Sequence, residues 1–187
     1  MTTLPPEEFA LRADHALALL RTYDGHLVLG IPAYRPDMVM IGGGVLASET
    51  HSAALTREVR EEVGLWRPAG RLLVLEQVPA TISKPAGTTM VFDVAPLGPD
   101  SPCTVHDDEL RGLHLLHPDA LAADHRPPGV GPRLARRLRA ALRALEGGGT
   151  VEIRLKGAGQ APLSRRRAAE YQQDAADVRD GWQPDAR

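Results

Sequence analysis

Three carboxylates, Glu58, Glu61 and Glu62, stand at i, i+3 and i+4 within GGVLASETHSAALTREVREEVGL, the stretch from Gly43 to Leu65. On a helix their Cβ atoms would lie roughly 5–6 Å apart, a spacing at which like charges cost free energy. A hard divalent cation offsets that cost, because Mg2+ and Mn2+ favour carboxylate and water oxygens and Mg2+ keeps waters while bridging to phosphates. Gly42-Gly43-Gly44, just ahead, let backbone approach a ligand closely, with the Gly42 carbonyl as a further oxygen donor. Arg57 and Arg60 interleave the acids, so these residues alone fit a salt-bridged, solvated helix face equally well.

The elements that must carry them are legible in outline. Thr50 to Val63 contains no Gly or Pro, opens on an N-cap residue and stops at Gly64, which predicts a helix with Leu55, Val59 and Val63 on its core side and the three glutamates together on another face. Met38 to Ile41 reads as a strand entering a Gly-rich loop. Ahead of it, Ala16–Thr22 and Leu27–Ile31 flank Asp24-Gly25 and read as a β-hairpin. Strands are expected at 71–78, 88–94 and 110–116, one or two helical turns at 118–123, a second amphipathic helix at 133–145 and an edge strand at 151–155. The arginines of 133–145 read as a solvated face. Residues 1–13 form a lead-in, 14–160 one mixed α/β domain, and 161–187 a polar tail.

Spacing narrows the choice. Gly43, five residues, Glu49, seven residues and then Arg57-Glu58-Val59-Arg60-Glu61-Glu62-Val63-Gly64-Leu65 meet all nine fixed positions of the box of the Nudix (MutT-like) hydrolase family, which this chain resembles. The box covers about an eighth of the chain, and the order of the other elements is similar to the family's α/β/α sandwich. The resemblance implies a metal-dependent hydrolase cleaving the pyrophosphate linkage of a nucleoside diphosphate derivative: a nucleoside triphosphate, an ADP-ribose-like molecule or a nucleotide sugar. It implies Glu58, Glu61 and Glu62 as ligands of Mg2+ or Mn2+, Arg57 and Glu49 as residues that brace the loop and orient the acids, and Gly43 and Gly64 as structural support. The ion would neutralise phosphate charge, polarise the reacting phosphoryl group and acidify a water molecule. Leu46 stands where many members carry an additional Glu, which bears on the number of ions. Pro79, 15 residues past Gly64, resembles in placement the ADP-ribose-cleaving subgroup.

A catalytic base outside the box is expected in the loop before the strand at 110–116, with Glu109 ahead of Asp107 and Asp108. Base recognition is expected from loops around 79–90 and 104–112. The alternative function is a Nudix-fold sensor that binds a nucleotide derivative without turnover, although a pure binder has no need of crowded acids. Cys103 lacks a positioned base, and His114 and His117 lack a third ligand, so neither reads as a site. In 187 residues, 22 basic against 24 acidic side chains leave a charge of −2, which offers no footprint for nucleic acid or a membrane surface. The partner expected is a small nucleotide derivative, and homodimerisation is left open. One cysteine, no basic leader and no long apolar run point to a reducing cytoplasm.

Overall fold

The computed structural model describes residues 12–80, 85–98, 101, 103–105, 108–121 and 126–154. The proposed tail at 161–187 and Asp107 lie outside the described residues, as does all but the end of the lead-in. Among the described residues run β1 (His15–Leu19), β2 (Leu27–Pro32), β3 (Val39–Met40), β4 (Gly42–Gly44), α1 (His51–Val63), β5 (Leu72–Val78), β6 (Gly87–Asp93), β7 (Leu110–Leu116), α2 (Pro132–Gly147) and β8 (Val151–Arg154), with a single 3-10 turn at Pro118–Leu121. A mixed five-stranded sheet has the order β4-β1-β6-β5-β8, and an antiparallel three-stranded sheet has the order β3-β2-β7. The fold is an α/β/α sandwich.

Alternation along β1 explains the layers. Ala16, Ala18 and Leu20 point into a core with Leu55, Val59 and Val63 of α1, while Leu17 and Leu19 point into a second core with Leu134, Leu138 and Ala141 of α2. Fully burying a side chain such as Leu55 or Leu138 contributes about 1.5–3 kcal/mol, so each helix is held chiefly by its apolar stripe. A bulge between Leu72 and Val74 turns both Leu73 and Val74 toward the α2 side.

Two sequence expectations change here. The Asp24-Gly25 turn exists, with Gly25 at φ +91°, and Val28 donates to the Leu20 carbonyl at 2.9 Å, yet β1 and β2 then diverge into different sheets rather than continuing as a hairpin. The cause is that β1 is apolar on both faces and takes β6 and β4 as neighbours, a central position in its sheet. Likewise Gly42–Gly44 is strand β4, paired antiparallel with His15–Leu17, and not a loop. The chain changes sheets at Ile41, whose carbonyl accepts from Ala18 at 2.8 Å. Helix α1 matches its prediction: the Thr50 hydroxyl accepts from the Ala53 N–H at 3.2 Å, and Gly64, at φ +70°, closes it with its N–H on the Arg60 carbonyl.

Candidate active site

Arg57, on α1, ties the region together. Its Nε and Nη2 grip the two oxygens of Glu49 at 3.2 and 2.6 Å, and Nη2 also reaches the Gly44 carbonyl at 3.0 Å. Nη1 donates to Glu58 Oε1 and Glu61 Oε2, both at 2.9 Å. Glu49 further accepts the Leu46 N–H at 2.9 Å. One guanidinium thus fastens the end of β4, the connection at 45–49 and the helix, through charge-assisted bonds that a lysine could not fork. The Arg57 bond and then the Leu46 N–H hold the Glu49 carboxyl below its ordinary range, and Glu49 in turn raises Arg57.

The three box acids occupy one side of α1 but differ in what they meet, only Glu58 and Glu62 lying against β4. Glu62 is buried and its Oε2 accepts the Gly42 N–H at 2.7 Å. Glu58 lies against Gly43, where an added Cβ would come within 2.6 Å of its carboxylate. Burial pushes the Glu58 carboxyl up, Arg57 opposes that, and the charges of Glu61 and Glu109 push it further up. Glu61 is instead 55% exposed and lines a shallow depression with Arg60 and Trp66. The reason is angular: at 3.6 residues per turn, Glu61 lies about 100° round the helix from Glu62, so one turn cannot aim both acids the same way.

A cleft of about 570 Å³ opens beside β4. Gly42, Gly43, Gly44, Glu62 and Glu109 line it, which brings the base candidate into the same space as the box; Asp108 is exposed and does not line it. The donors fit a hard cation in kind. They are all oxygens, and the half-buried Glu58 carboxyl, with two like charges acting on it, gains by meeting positive charge. Among the described residues no three His, Cys, Asp or Glu side chains are gathered closely enough to enclose an ion, so water and phosphate would have to complete its shell, as is usual for Mg2+.

Sequence reasoning missed a second charged group. Glu76 of β5 is fully buried, and Arg133, Arg136 and Arg137 of α2 converge on it, so the helix is not simply a solvated arginine face. A carboxylate in the apolar strand LLVLEQV was the available signal, because a charged residue at an inward position needs a partner. Cys103 packs against the α1-side core and burial pushes its thiol up, consistent with a bland thiol. His117 meets the ring of His26 edge-on, with centroids 5.2 Å apart.

The match to the NUDIX domain spans residues 11–136 and includes every one of these box residues. The chain belongs to the NUDIX family. No curated protein matches the chain. Solved structures share the NUDIX fold at low identity. The MutT protein of Methanosarcina mazei Go1 is 19% identical, with a TM-score of 0.54 over 68% of this chain and 93% of that one. An ADP-ribose pyrophosphatase of Streptococcus suis is 15% identical, with a TM-score of 0.55 over 78% and 100%. The NUDIX domain of Shewanella oneidensis NrtR, complexed with ADP ribose, is 13% identical, with a TM-score of 0.60 over 76% and 94%. No helix among the described residues is long and apolar enough to cross a membrane.

Proposed function

We propose that this NUDIX chain uses Mg2+ or Mn2+ to hydrolyse the pyrophosphate linkage of a nucleoside diphosphate derivative, drawn from nucleoside triphosphates, ADP-ribose-like molecules and nucleotide sugars. The observation that carries the reading is the convergence of Glu62, Glu109 and the glycines of β4 on one cleft, with the Glu58 carboxylate directly against Gly43. Glu58 and Glu62, which lie against Gly43 and Gly42, would hold the ion, with the Gly42 carbonyl as a further oxygen, and the more exposed Glu61 would stand farther from it. An ion held there would supply neutralisation of phosphate charge and polarisation of the reacting phosphoryl group.

Glu109 serves as the base. It takes a proton from the attacking water as the new P–O bond forms, and the phosphoanhydride P–O bond breaks with its electron pair leaving on the departing phosphate. Arg57 and Glu49 act as positioning residues, since their bonds to each other, to Glu58 and to the Gly44 carbonyl hold the helix against the end of β4. Gly43 lets the Glu58 carboxylate lie against the backbone, and Gly64 fixes where the helix ends.

A panel of nucleotide derivatives, incubated with the full-length protein and Mg2+, tests the reading. It predicts release of a nucleoside monophosphate or inorganic pyrophosphate from at least one member, abolished by EDTA. Tight nucleotide binding with no turnover at millimolar Mg2+ or Mn2+ would contradict it and favour the sensor alternative.

A further inference from the structure

Charges of both signs line the cleft in equal number, Arg35, Arg133 and Arg137 against Asp37, Glu62 and Glu109, so net charge does not say which end takes phosphate. Ring chemistry does. Tyr34 is the only Phe, Tyr or Trp among the described residues that line the cleft. Its ring is 69% exposed, and the Arg35 guanidinium lies over it, 5.6 Å from the centroid. One face of the ring thus carries a cation, and the rest is open to a flat ligand. Of the described residues around 79–90 and 104–112, where the sequence leads one to expect base recognition, Pro85, Thr89, Glu109 and Leu110 reach the cleft, and none of them offers a ring.

Tyr34 belongs to the connection between β2 and β3, which is anchored on the approach to α2. The Met38 N–H donates to the Gly129 carbonyl at 2.8 Å, and the Asp37 carboxylate packs so closely on Gly131 that an added Cβ would stand 3.1 Å from its Oδ2. Asp37 lines the cleft too, and among the described residues its carboxylate has no hydrogen-bond or ion-pair partner. An ionised carboxylate only accepts hydrogen bonds, and it repels phosphate. Arg35, the one cation in the same connection, is stacked on the ring. This wall therefore suits a neutral, flat group that donates N–H, and leaves the diphosphate to β4 and the box acids. Adenine, guanine and cytosine each carry an exocyclic amino group. Uracil instead presents its N–H between two carbonyl oxygens, which a carboxylate repels.

We infer that Tyr34 is the platform on which the base of the nucleotide substrate stacks, with Asp37 accepting from the amino group of that base; the assignment rests on the proposed hydrolysis at the box. Stacking serves any base, since each has a π face, and is worth about fivefold or more in affinity. Asp37 adds the preference, for amino-bearing bases over uracil.

Calorimetric titration of the full-length protein with AMP, UMP and ribose 5-phosphate in EDTA separates the base from metal and from turnover, because the three ligands differ only at C1′ of the ribose. The wild type should bind AMP at least fivefold more tightly than ribose 5-phosphate and at least threefold more tightly than UMP. Tyr34→Ala should weaken AMP binding at least fivefold and ribose 5-phosphate binding less than twofold, while Tyr34→Phe, which keeps the ring, should stay within twofold of the wild type on AMP. Asp37→Asn, whose amide donates as well as accepts, should bring AMP and UMP to equal affinity. Both side chains are exposed, so each variant should keep the wild-type Tm. Equal binding of AMP and ribose 5-phosphate by the wild type, or an equal loss on both in Tyr34→Ala, would overturn the platform. An unchanged preference in Asp37→Asn would overturn the part given to Asp37. In the nucleotide panel, Tyr34→Ala should raise KM at least fivefold with kcat changed less than threefold, and a loss confined to kcat would overturn the assignment. A wild type that binds AMP through Tyr34 but hydrolyses nothing would remove the hydrolase reading instead, and hydrolysis indifferent to Tyr34→Ala would remove only the platform.

Discussion

Gly42 and Gly43 are adjacent yet respond to a methyl group in different ways. Gly42 sits at φ +126° and its Cβ would collide with the Ala16 carbonyl, which is backbone and cannot move aside. Gly42→Ala is therefore expected to destabilise by at least about 1–3 kcal/mol from backbone strain alone, seen as a lowered Tm. At Gly43 the obstacle is the Glu58 carboxylate, the far end of a flexible side chain. Gly43→Ala should leave Tm nearly unchanged and lower kcat at least tenfold, because it displaces an acid whose position matters; unchanged kcat would separate Glu58 from the chemistry. Glu49 gives a pH signature. Its carboxyl is held below the ordinary range, so the stabilisation it supplies is complete above the unfolded-state value and disappears as pH falls through the lower folded-state value. The Tm difference between wild type and Glu49→Gln should accordingly be full at pH 7 and vanish in strong acid.

Among the elements, α1 was the most legible, since its cap, its glycine stop and its apolar spacing all lie within a short stretch and agree. Thr50→Ala should cost about 1 kcal/mol in denaturant unfolding. The aim of each glutamate was not legible at the same level. Whether Glu61 turns to Arg57 or to the cleft depends on where β4 runs, and three successive glycines carry no side-chain alternation by which a strand can be told from a loop. The supposed hairpin failed for a related reason: a tight turn reports on two residues, whereas sheet membership is decided by partners far along the chain, here β6 for β1 and β7 for β2.

At the level of the whole molecule, Glu76 joins the five-stranded sheet to α2. The partners lie 57 to 61 residues apart, so no local pattern announces the pairing; only the oddity of an acid in an apolar strand does. Glu76 is fully buried and Arg137 largely so, while Arg133 and Arg136 stay nearly half exposed, so Glu76→Gln leaves chiefly Arg137 uncompensated and should destabilise by about 3 kcal/mol in urea unfolding, the low end for breaking a buried pair. A change below 1 kcal/mol would mean that the guanidinium groups are solvated and independent. The account as a whole places two box acids, and not the third, at the working face. The most direct measurement is Mg2+-dependent turnover of a panel substrate by Glu62→Gln and Glu61→Gln, each checked for native Tm. The account predicts that Glu62→Gln loses at least 100-fold in kcat and Glu61→Gln at least tenfold less than that; full activity in Glu62→Gln, or turnover indifferent to EDTA, would contradict it.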